Sequence, residues 1–164
     1  MTRALTVEGQ VMRLWLVADG VATRELRFGL TTAATDDLDP VIDRAHLESP
    51  ELPCDTYLLN TGEPNGTSPH LTRDFRPPRP TTRWYLVVSP ATAALDNLTL
   101  EWDVGAATPM NAMLLQHLNG EQPDAVARNM LTESSAPIVP NSTYEIAYSG
   151  RDTAVLSLKR GWNL

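Results

Sequence analysis

Apolar and polar residues alternate with a period of two along most of this chain, the pattern of β-strands that bury one face. In the segment "NLTLEWD", Leu98, Leu100 and Trp102 share one face and polar residues the other. The segments "ALTVE", "VMRLWLVA", "ELRFGL", "RWYLVVS", "TYEIAY" and "TAVLSLK" are similarly rich in residues that suit a pleated surface. Residues 108–117 are the best helix candidate, but their apolar run is short, and we predict a strand there too.

Turn signals divide these segments at regular intervals. Dipeptides that favour tight hairpins lie beside apolar runs at Asp19-Gly20, Asn119-Gly120 and Ser149-Gly150. Five of the 13 prolines fall within residues 60–82, and because proline cannot donate to a sheet ladder, we predict a long surface connection with no central strand there. About ten short strands with one proline-rich loop predict a single all-β domain over residues 1–164, an antiparallel β-sandwich of the immunoglobulin-like or jelly-roll type.

Composition narrows the class of protein. The 164 residues suffice for one domain with its own hydrophobic core. The formal charge of −7 argues against a nucleic-acid partner, because such proteins usually carry a basic face. No apolar run reaches the roughly 18 residues of a membrane-spanning helix, and the single cysteine, Cys54, excludes an intrachain disulfide. The first ten residues lack the features of a signal peptide, so we expect a cytoplasmic protein or a piece whose leader lay upstream.

The acidic segment "TTAATDDLDPVIDR" contains the four aspartates Asp36, Asp37, Asp39 and Asp43. Their oxygens suit calcium, but Val41 and Ile42 occupy positions where an EF-hand loop needs a ligand and a glycine. An irregular calcium site of a β-sandwich remains an alternative, and so does a carboxylate pair for polysaccharide cleavage. The favoured interpretation is structural, because short acidic side chains accept hydrogen bonds from backbone amides and cap turns.

The segment "RDFRPPRP" places three arginines beside Asp74. Arginine pairs with carboxylates through two hydrogen bonds at a time. We therefore predict an ion-pair loop of Asp74, Arg73 and Arg76 that faces the acidic segment. The spacing of the prolines also suits a polyproline ligand for another domain, which is the functional alternative.

Aromatic residues and nucleophiles offer further candidate sites. The four tryptophans are Trp15, Trp84, Trp102 and Trp162. An exposed set could stack on sugar rings, although their positions in alternating apolar runs favour core packing. The histidines are too scattered for a metal-binding pair, no Gly-x-Ser-x-Gly motif occurs, and Cys54 is best explained as a small buried side chain. We therefore expect no enzymatic activity and no cofactor, with calcium as the one candidate metal.

The order of these segments resembles a β-sandwich module of large secreted bacterial and archaeal multidomain proteins. The resemblance runs through "FGLTTAATDDLDPVID", "PELPCDTYLLN", "LTRDFRP", "RWYLVVS", "LTLEWD" and "YEIAYSGRDTAVLSL". Such modules accompany surface enzymes, dockerin-like segments and C-terminal sorting domains. The family segment Ala-Thr-Asp-x-x-Asp-x-x-x-Asp corresponds to residues 34–43 and Asp-x-Arg-Pro to residues 74–77, with no catalytic role implied. Asp37 replaces the usual glycine of the family.

The resemblance implies a non-enzymatic structural or assembly module outside the cell or at its surface. The closing "LKRGWNL" resembles the first strand of a following module. Residues 1–10 and 157–164 are therefore expected to pair with neighbouring modules or identical subunits, which would allow polymerisation into an extracellular filament. The alternative is a carbohydrate-binding module with exposed tryptophans and a structural calcium.

Overall fold

The computed structural model describes residues 9–60, 69–105, 110–119 and 122–150 of the chain. These residues form the strands β1 (Gly9–Ala18), β2 (Val21–Thr31), β3 (Arg44–Ala45), β4 (Thr56–Leu59), β5 (His70–Arg76), β6 (Thr81–Val88), β7 (Leu98–Asp103), β8 (Met110–Asn119), β9 (Gln122–Asn129), β10 (Ser135–Pro137) and β11 (Ser142–Gly150). None of the described residues lies in a helix, so none belongs to a helix long and apolar enough to cross a membrane. The predicted all-β class is confirmed.

All of these strands belong to one mixed sheet. Its strand order is β10-β7-β1-β2-β5-β4-β6-β11-β8-β9, with β3 attached to β5. The strands at the two ends, β9 and β10, follow one another in the chain. In the connection from β9 to β10, the carbonyl of Ser134 accepts a hydrogen bond from the backbone N–H of Trp102 on β7 (2.9 Å). The sheet is therefore nearly barrel-shaped, and it is not clearly the two-sheet sandwich that the sequence predicted.

The prediction of a purely antiparallel sheet is wrong at one pair of strands. β2 and β5 run parallel, with Arg27 beside Arg73 and Leu30 beside Arg76. After β2 the chain forms β4, which does not pair with β2. The chain then returns as β5, which lies between β2 and β4 in the sheet. Because β5 is antiparallel to β4, it meets β2 in parallel.

The predicted proline-rich loop is wrong for residues 70–76, which form β5. Pro69 and Pro77 flank this strand and none lies within it, so every residue of β5 keeps the N–H that a sheet ladder needs. β5 pairs with β2 along one edge and with β3 and β4 along the other. It is therefore a central strand. Residues 61–68 of the predicted loop lie outside the described residues.

One large hydrophobic core fills the interior of the curled sheet. Leu98, Leu100 and Trp102 on β7 are all buried in it, as their alternation predicts. Trp84 on β6 is fully buried and meets the ring of Phe28 on β2 edge to face, with ring centroids 5.1 Å apart. On β11 both faces are buried between residues 144 and 149, so the alternation there does not mark a solvent face.

Two of the three predicted hairpins are found, whereas the prediction for Ser149-Gly150 is wrong because both residues belong to β11 and pair with neighbouring strands. Asp19 and Gly20 have φ values of 49° and 82°, the combination that a type I′ turn requires, and Ala18 pairs with Val21 across them. β8 and β9 pair antiparallel on either side of residues 120–121, which confirms that hairpin. The strand predicted over residues 108–117 is confirmed for its described residues, 110–117. "ALTVE", "TAVLSLK" and the terminal segments 1–8 and 151–164, including Trp162, lie outside the described residues.

Candidate functional site

The acidic segment folds into a turn that its own side chains hold together. Oδ2 of Asp39 accepts hydrogen bonds from the backbone N–H (2.6 Å) and the hydroxyl (3.1 Å) of Thr35. Asp43 is buried, and its two carboxylate oxygens accept from the N–H groups of Asp39 (2.8 Å) and Phe75 (2.9 Å). Burial raises the pKa of the Asp43 carboxyl, while the two backbone donors oppose that shift. Asp43 therefore fastens the acidic segment to β5.

The other two aspartates of this segment are exposed. Asp36 forms an ion pair with Arg79, whereas the Asp37 carboxylate makes no hydrogen bond or ion pair with any described residue. Arg73 donates weakly to the carbonyl of Val41 (3.5 Å) and contributes a favourable charge near Asp43. In the described part of the chain, no group of three or more His, Cys, Asp or Glu side chains is arranged to hold a metal ion. Calcium at the acidic segment stays a prediction.

Asp74 pairs with its neighbour two residues along β5, not with the acidic segment. Nη2 and Nε of Arg76 lie 3.0 and 3.3 Å from Oδ2 of Asp74. The Arg76 guanidinium also lies 5.9 Å from the centre of the Trp84 ring and donates to the carbonyl of Leu59 (3.4 Å). Burial raises the pKa of the Asp74 carboxyl against the opposing charge of Arg76. This ion pair is part of the protein interior.

Three tryptophans fall within the described residues. Trp84 and Trp102 are buried in the core, so neither presents a ring face to a sugar. The indole N–H of Trp102 donates to the carbonyls of Met130 (3.1 Å) and Glu133 (2.7 Å). Trp15 is half-buried, and its N–H donates to Glu101 (3.0 Å). The indole N–H groups of Trp15 and Trp102 therefore serve the sheet and its connections, whereas that of Trp84 has no hydrogen-bond partner among the described residues.

A polar cluster that the sequence did not reveal joins three elements: Arg24 on β2, His46 after β3 and Asp55 before β4. Nη1 of Arg24 lies 2.7 Å from Nδ1 of His46. On the other side of the ring, Nε2 lies 3.1 Å from Oδ2 of Asp55, which is itself 3.8 Å from Nη1 of Arg24. The side chain of His46 is only 2 % exposed and that of Asp55 12 %. We call these three residues the Arg24 cluster.

The geometry of the Arg24 cluster fixes the tautomer of His46. A guanidinium can only donate, so Nδ1 must accept from Arg24 and the proton of the neutral ring lies on Nε2, facing Asp55. Burial lowers the pKa of His46, the charge of Asp55 opposes this shift and the charge of Arg24 adds to it. Nε2 of His46 and Oδ2 of Asp55 are close but are not aligned as a hydrogen bond. Oδ2 of Asp55 has no hydrogen-bond partner among the described residues.

The Arg24 cluster borders a cavity of about 610 Å³ between the β3–β4 and β6–β7 connections. Three of its lining residues are His46, Asp55 and Tyr57. The others come from the two connections: Glu48, Ser49, Pro50, Leu52, Ser89, Pro90 and Thr92. The Tyr57 ring stacks on His70 with ring centroids 3.8 Å apart, and its centroid lies 5.3 Å from that of the tilted His46 ring. The cavity is thus lined by a buried acidic residue, an aromatic residue and a mixture of apolar and polar residues.

Cys54 and Ser89 lie beside this cavity in structural roles. The Cys54 thiol is buried and donates to the carbonyl of Ser89 (3.2 Å), and burial raises the pKa of the thiol. A thiol with a raised pKa stays protonated and is a poor nucleophile at neutral pH. The Ser89 hydroxyl accepts from the N–H of Asp55 (2.8 Å). Both side chains therefore fix the start of β4 against the end of β6.

Comparison with known proteins adds no family to this description. No family model matches the sequence, and no curated protein or solved structure is significantly similar to it. The resemblance to a secreted β-sandwich module therefore stays a prediction.

The Arg24 cluster could not be predicted from the sequence because its members come from separate parts of the chain. Arg24 and His46 are 22 residues apart, and His46 drew no attention since the histidines are scattered. One local signal was present: Asp55 stands directly before the apolar run "TYLL", where a charged side chain enters the core. That signal marks Asp55 but not its partners.

Proposed function

We propose that this chain is a non-enzymatic structural module that assembles with identical subunits or neighbouring modules through an edge of its sheet, outside the cell. The observation that carries the proposal is strand β9. Among the described residues it pairs with β8 alone, and its other edge has no strand neighbour. An edge strand offers unpaired N–H and C=O groups, which accept an extended segment from another chain.

The opposite end of the strand order is less suited to strand addition. β10 has only three residues, and one of them is Pro137, which has no N–H to donate. Short edge strands that contain proline discourage pairing with other chains. β9, with eight residues, is therefore the better acceptor edge.

The use of carboxylates supports a structural role. Oδ1 of Asp19 accepts from the N–H groups of Asp96 (3.0 Å) and Asn97 (2.8 Å), which joins the β1–β2 turn to the segment before β7. Asp39 and Asp43 hold the acidic segment in the same way. Carboxylates whose oxygens accept from backbone amides in this way hold connections and turns in place.

The test is the assembly state of the full chain measured by size-exclusion chromatography with light scattering over a range of concentrations. We expect concentration-dependent oligomers that a chain lacking residues 157–164 does not form. Ala127→Lys, which adds a charge to the exposed end of β9, should weaken assembly. Ala33→Lys, at an exposed position away from β9, is the matched control. Unchanged assembly in both the truncated chain and Ala127→Lys would contradict the proposal.

The carbohydrate-binding alternative receives less support. It needs exposed tryptophans, and two of the three described tryptophans are in the core. The extracellular setting is part of the proposal and rests on the resemblance in sequence. A strand-exchange module is consistent with the open β9 edge wherever the protein is located.

A further inference from the structure

Four arginines form a row across the outer face of the curled sheet. Arg13 on β1 lies opposite Arg27 on β2, and Arg27 lies opposite Arg73 on β5. Arg73 in turn lies opposite Arg44 on β3. Both sequence neighbours of Arg13 and of Arg27 are buried in the core, so these two side chains point away from it, and residues opposed on neighbouring strands share a face. We call these four residues the arginine row.

Two members of the arginine row have carboxylate partners within the chain. Arg13 forms an ion pair with Asp103 (2.5 Å), which lies opposite it on β7. Arg27 forms an ion pair with Glu25 (2.6 Å), two residues earlier on β2. The charges of Arg13 and Arg27 are therefore balanced by the protein itself.

The other two members, Arg73 and Arg44, have no such partner. Arg73 donates only weakly to the carbonyl of Val41 (3.5 Å). Its charge also acts on Asp43, but that carboxylate is buried and accepts from two backbone N–H groups instead. The exposed side chain of Arg44 makes no hydrogen bond or ion pair with any described residue. Like charges directly opposite each other destabilise a sheet, so this pair gains free energy from an added anion.

A surface groove of about 270 Å³ opens at the arginine row. It is lined by three arginines, one carboxylate and one hydroxyl group, those of Arg27, Arg44, Arg73, Glu25 and Thr72. The positive charges of this lining outnumber the negative ones by two, in a chain whose formal charge is −7. A second groove, of about 280 Å³, shares Glu25, Arg44 and Thr72 with the first and continues past Ala45 and Leu47.

We propose that the arginine row binds a phosphate group, with Arg44 and Arg73 as its donors. A phosphate group with one or no ester bond carries close to two negative charges at neutral pH, which matches the excess of positive charge in the groove. Guanidinium groups donate two parallel hydrogen bonds to phosphate oxygens, and two guanidiniums on neighbouring strands can share one tetrahedral anion. This inference does not depend on the proposed assembly role.

The test follows amide chemical shifts of the full chain during titration with methyl phosphate at about pH 7.5, above the second phosphate pKa of about 6. Sodium chloride keeps the ionic strength constant. Dimethyl phosphate, which carries a single charge, is the matched control. We expect saturable shifts in residues 25–27, 44–47 and 71–74 with methyl phosphate, and binding about tenfold weaker with dimethyl phosphate. Equal binding of the two compounds, or shifts that sodium chloride alone reproduces, would overturn the proposal.

Two variants locate the donors. Arg44→Gln and Arg73→Gln should each weaken methyl phosphate binding about tenfold, because each removes one of the two guanidiniums. Arg79→Gln, which removes an exposed arginine outside the arginine row, is the matched control and should bind as the unchanged chain does. Arg44 is exposed and makes no side-chain contact that folding needs, so Arg44→Gln decides the matter if Arg73→Gln does not fold. Binding that survives Arg44→Gln unchanged would refute the assignment.

Thermal unfolding gives a second measurement of the same site. An anion that binds only the folded chain stabilises it, and one that lies between Arg44 and Arg73 also offsets their repulsion. Methyl phosphate should therefore raise the Tm of the unchanged chain and of Arg79→Gln but not that of Arg44→Gln. A rise of equal size in Arg44→Gln would mean that the stabilisation does not come from the arginine row.

A phosphate group can be free or can belong to an organic monoester, and two compounds distinguish these sources. Inorganic phosphate occupies the first groove alone, whereas the butyl group of butyl phosphate can extend over Ala45 and Leu47 in the second. Tighter binding of butyl phosphate, with added shifts in residues 45–47, identifies an organic monoester. Equal affinity of the two compounds identifies free phosphate. If neither compound binds, the arginine row is not a phosphate site.

Discussion

The Nη1 atom of Arg24 lies 2.7 Å from Nδ1 of His46, and this contact decides which ring nitrogen carries the proton. Protonating Nδ1 would set two donors against each other and bring two positive charges into contact. Arg24 also donates to the carbonyl of Leu47 (2.5 Å), at the start of the segment that walls the cavity. The state of the His46 ring is therefore tied to the position of that segment.

Folding stability is expected to fall in mild acid because of His46. Burial lowers the pKa of this ring in the folded chain below the 6.5 of an unperturbed histidine. As pH falls below 6.5 the unfolded chain takes up a proton that the folded chain does not. The stabilisation is thus fully present above about pH 6.5 and is lost as pH falls towards the folded pKa, by at most about 1.4 kcal/mol per pH unit.

Urea unfolding between pH 8 and pH 5 measures this slope directly. His46→Gln keeps an acceptor for Arg24 and a donor for Asp55 but does not titrate, so its slope should be shallower. His117→Gln, a histidine outside the Arg24 cluster, serves as the control. If the His46→Gln chain loses stability with the same slope as the unchanged chain, the His46 ring is not the group responsible.

The acidic segment is expected to stabilise the fold without calcium. Asp39→Ala removes the acceptor for the N–H and hydroxyl of Thr35 and should lower the free energy of unfolding by about 1.5 kcal/mol. Asp37→Ala, in the same segment but without such contacts, should change it by less than about 0.5 kcal/mol. Thermal unfolding in calcium and in EDTA should give the same Tm. A Tm that rises with calcium and falls back in Asp39→Ala would favour the metal site.

The sequence predicts those strands and turns that are marked by their own residues, through alternation of apolar and polar positions or through a turn dipeptide. Leu98, Leu100 and Trp102 alternate within β7 and are buried as expected, and Asp19-Gly20 has the chemistry of its turn. The sequence does not predict β5, because the prolines near both of its ends indicate a loop. They lie at its ends, where a strand tolerates them.

Contacts between distant segments could not be predicted in the same way. Alternation marks a strand but does not say which strand lies beside it, so the parallel pair of β2 and β5 had no sequence signal. The sequence predicts that Arg76 faces the acidic segment, whereas its guanidinium contacts the carbonyl of Leu59 and the ring of Trp84. The Arg24 cluster depends on the same kind of long-range placement.

Removing one partner of the ion pair between Asp74 and Arg76 is expected to destabilise the fold more than removing both partners. Asp74→Ala leaves the Arg76 guanidinium in the interior without its carboxylate and should cost about 3 kcal/mol. The double variant Asp74→Leu with Arg76→Met removes both charges and should recover most of that loss, because a well-packed apolar pair is often as stable as a buried ion pair. Urea unfolding of Asp74→Leu, Arg76→Met and the double variant completes the cycle. Strictly additive losses would show that the two side chains do not interact.

Gly29 on β2 is expected to be the least replaceable glycine of the described residues. A Cβ atom at this position would overlap the carbonyl oxygen of Gln10 on β1 and come within 3.2 Å of the Phe75 ring on β5. β2 is held between β1 and β5, so the backbone cannot move away without breaking one of the two ladders. Gly29→Ala should therefore lower the free energy of unfolding by about 3 kcal/mol. Gly20→Ala is the control, because Gly20 has a positive φ but open space around it and should lose only about 1 kcal/mol. Equal losses in the two variants, measured by urea unfolding, would mean that the close approach of β1 to Gly29 does not constrain the sheet.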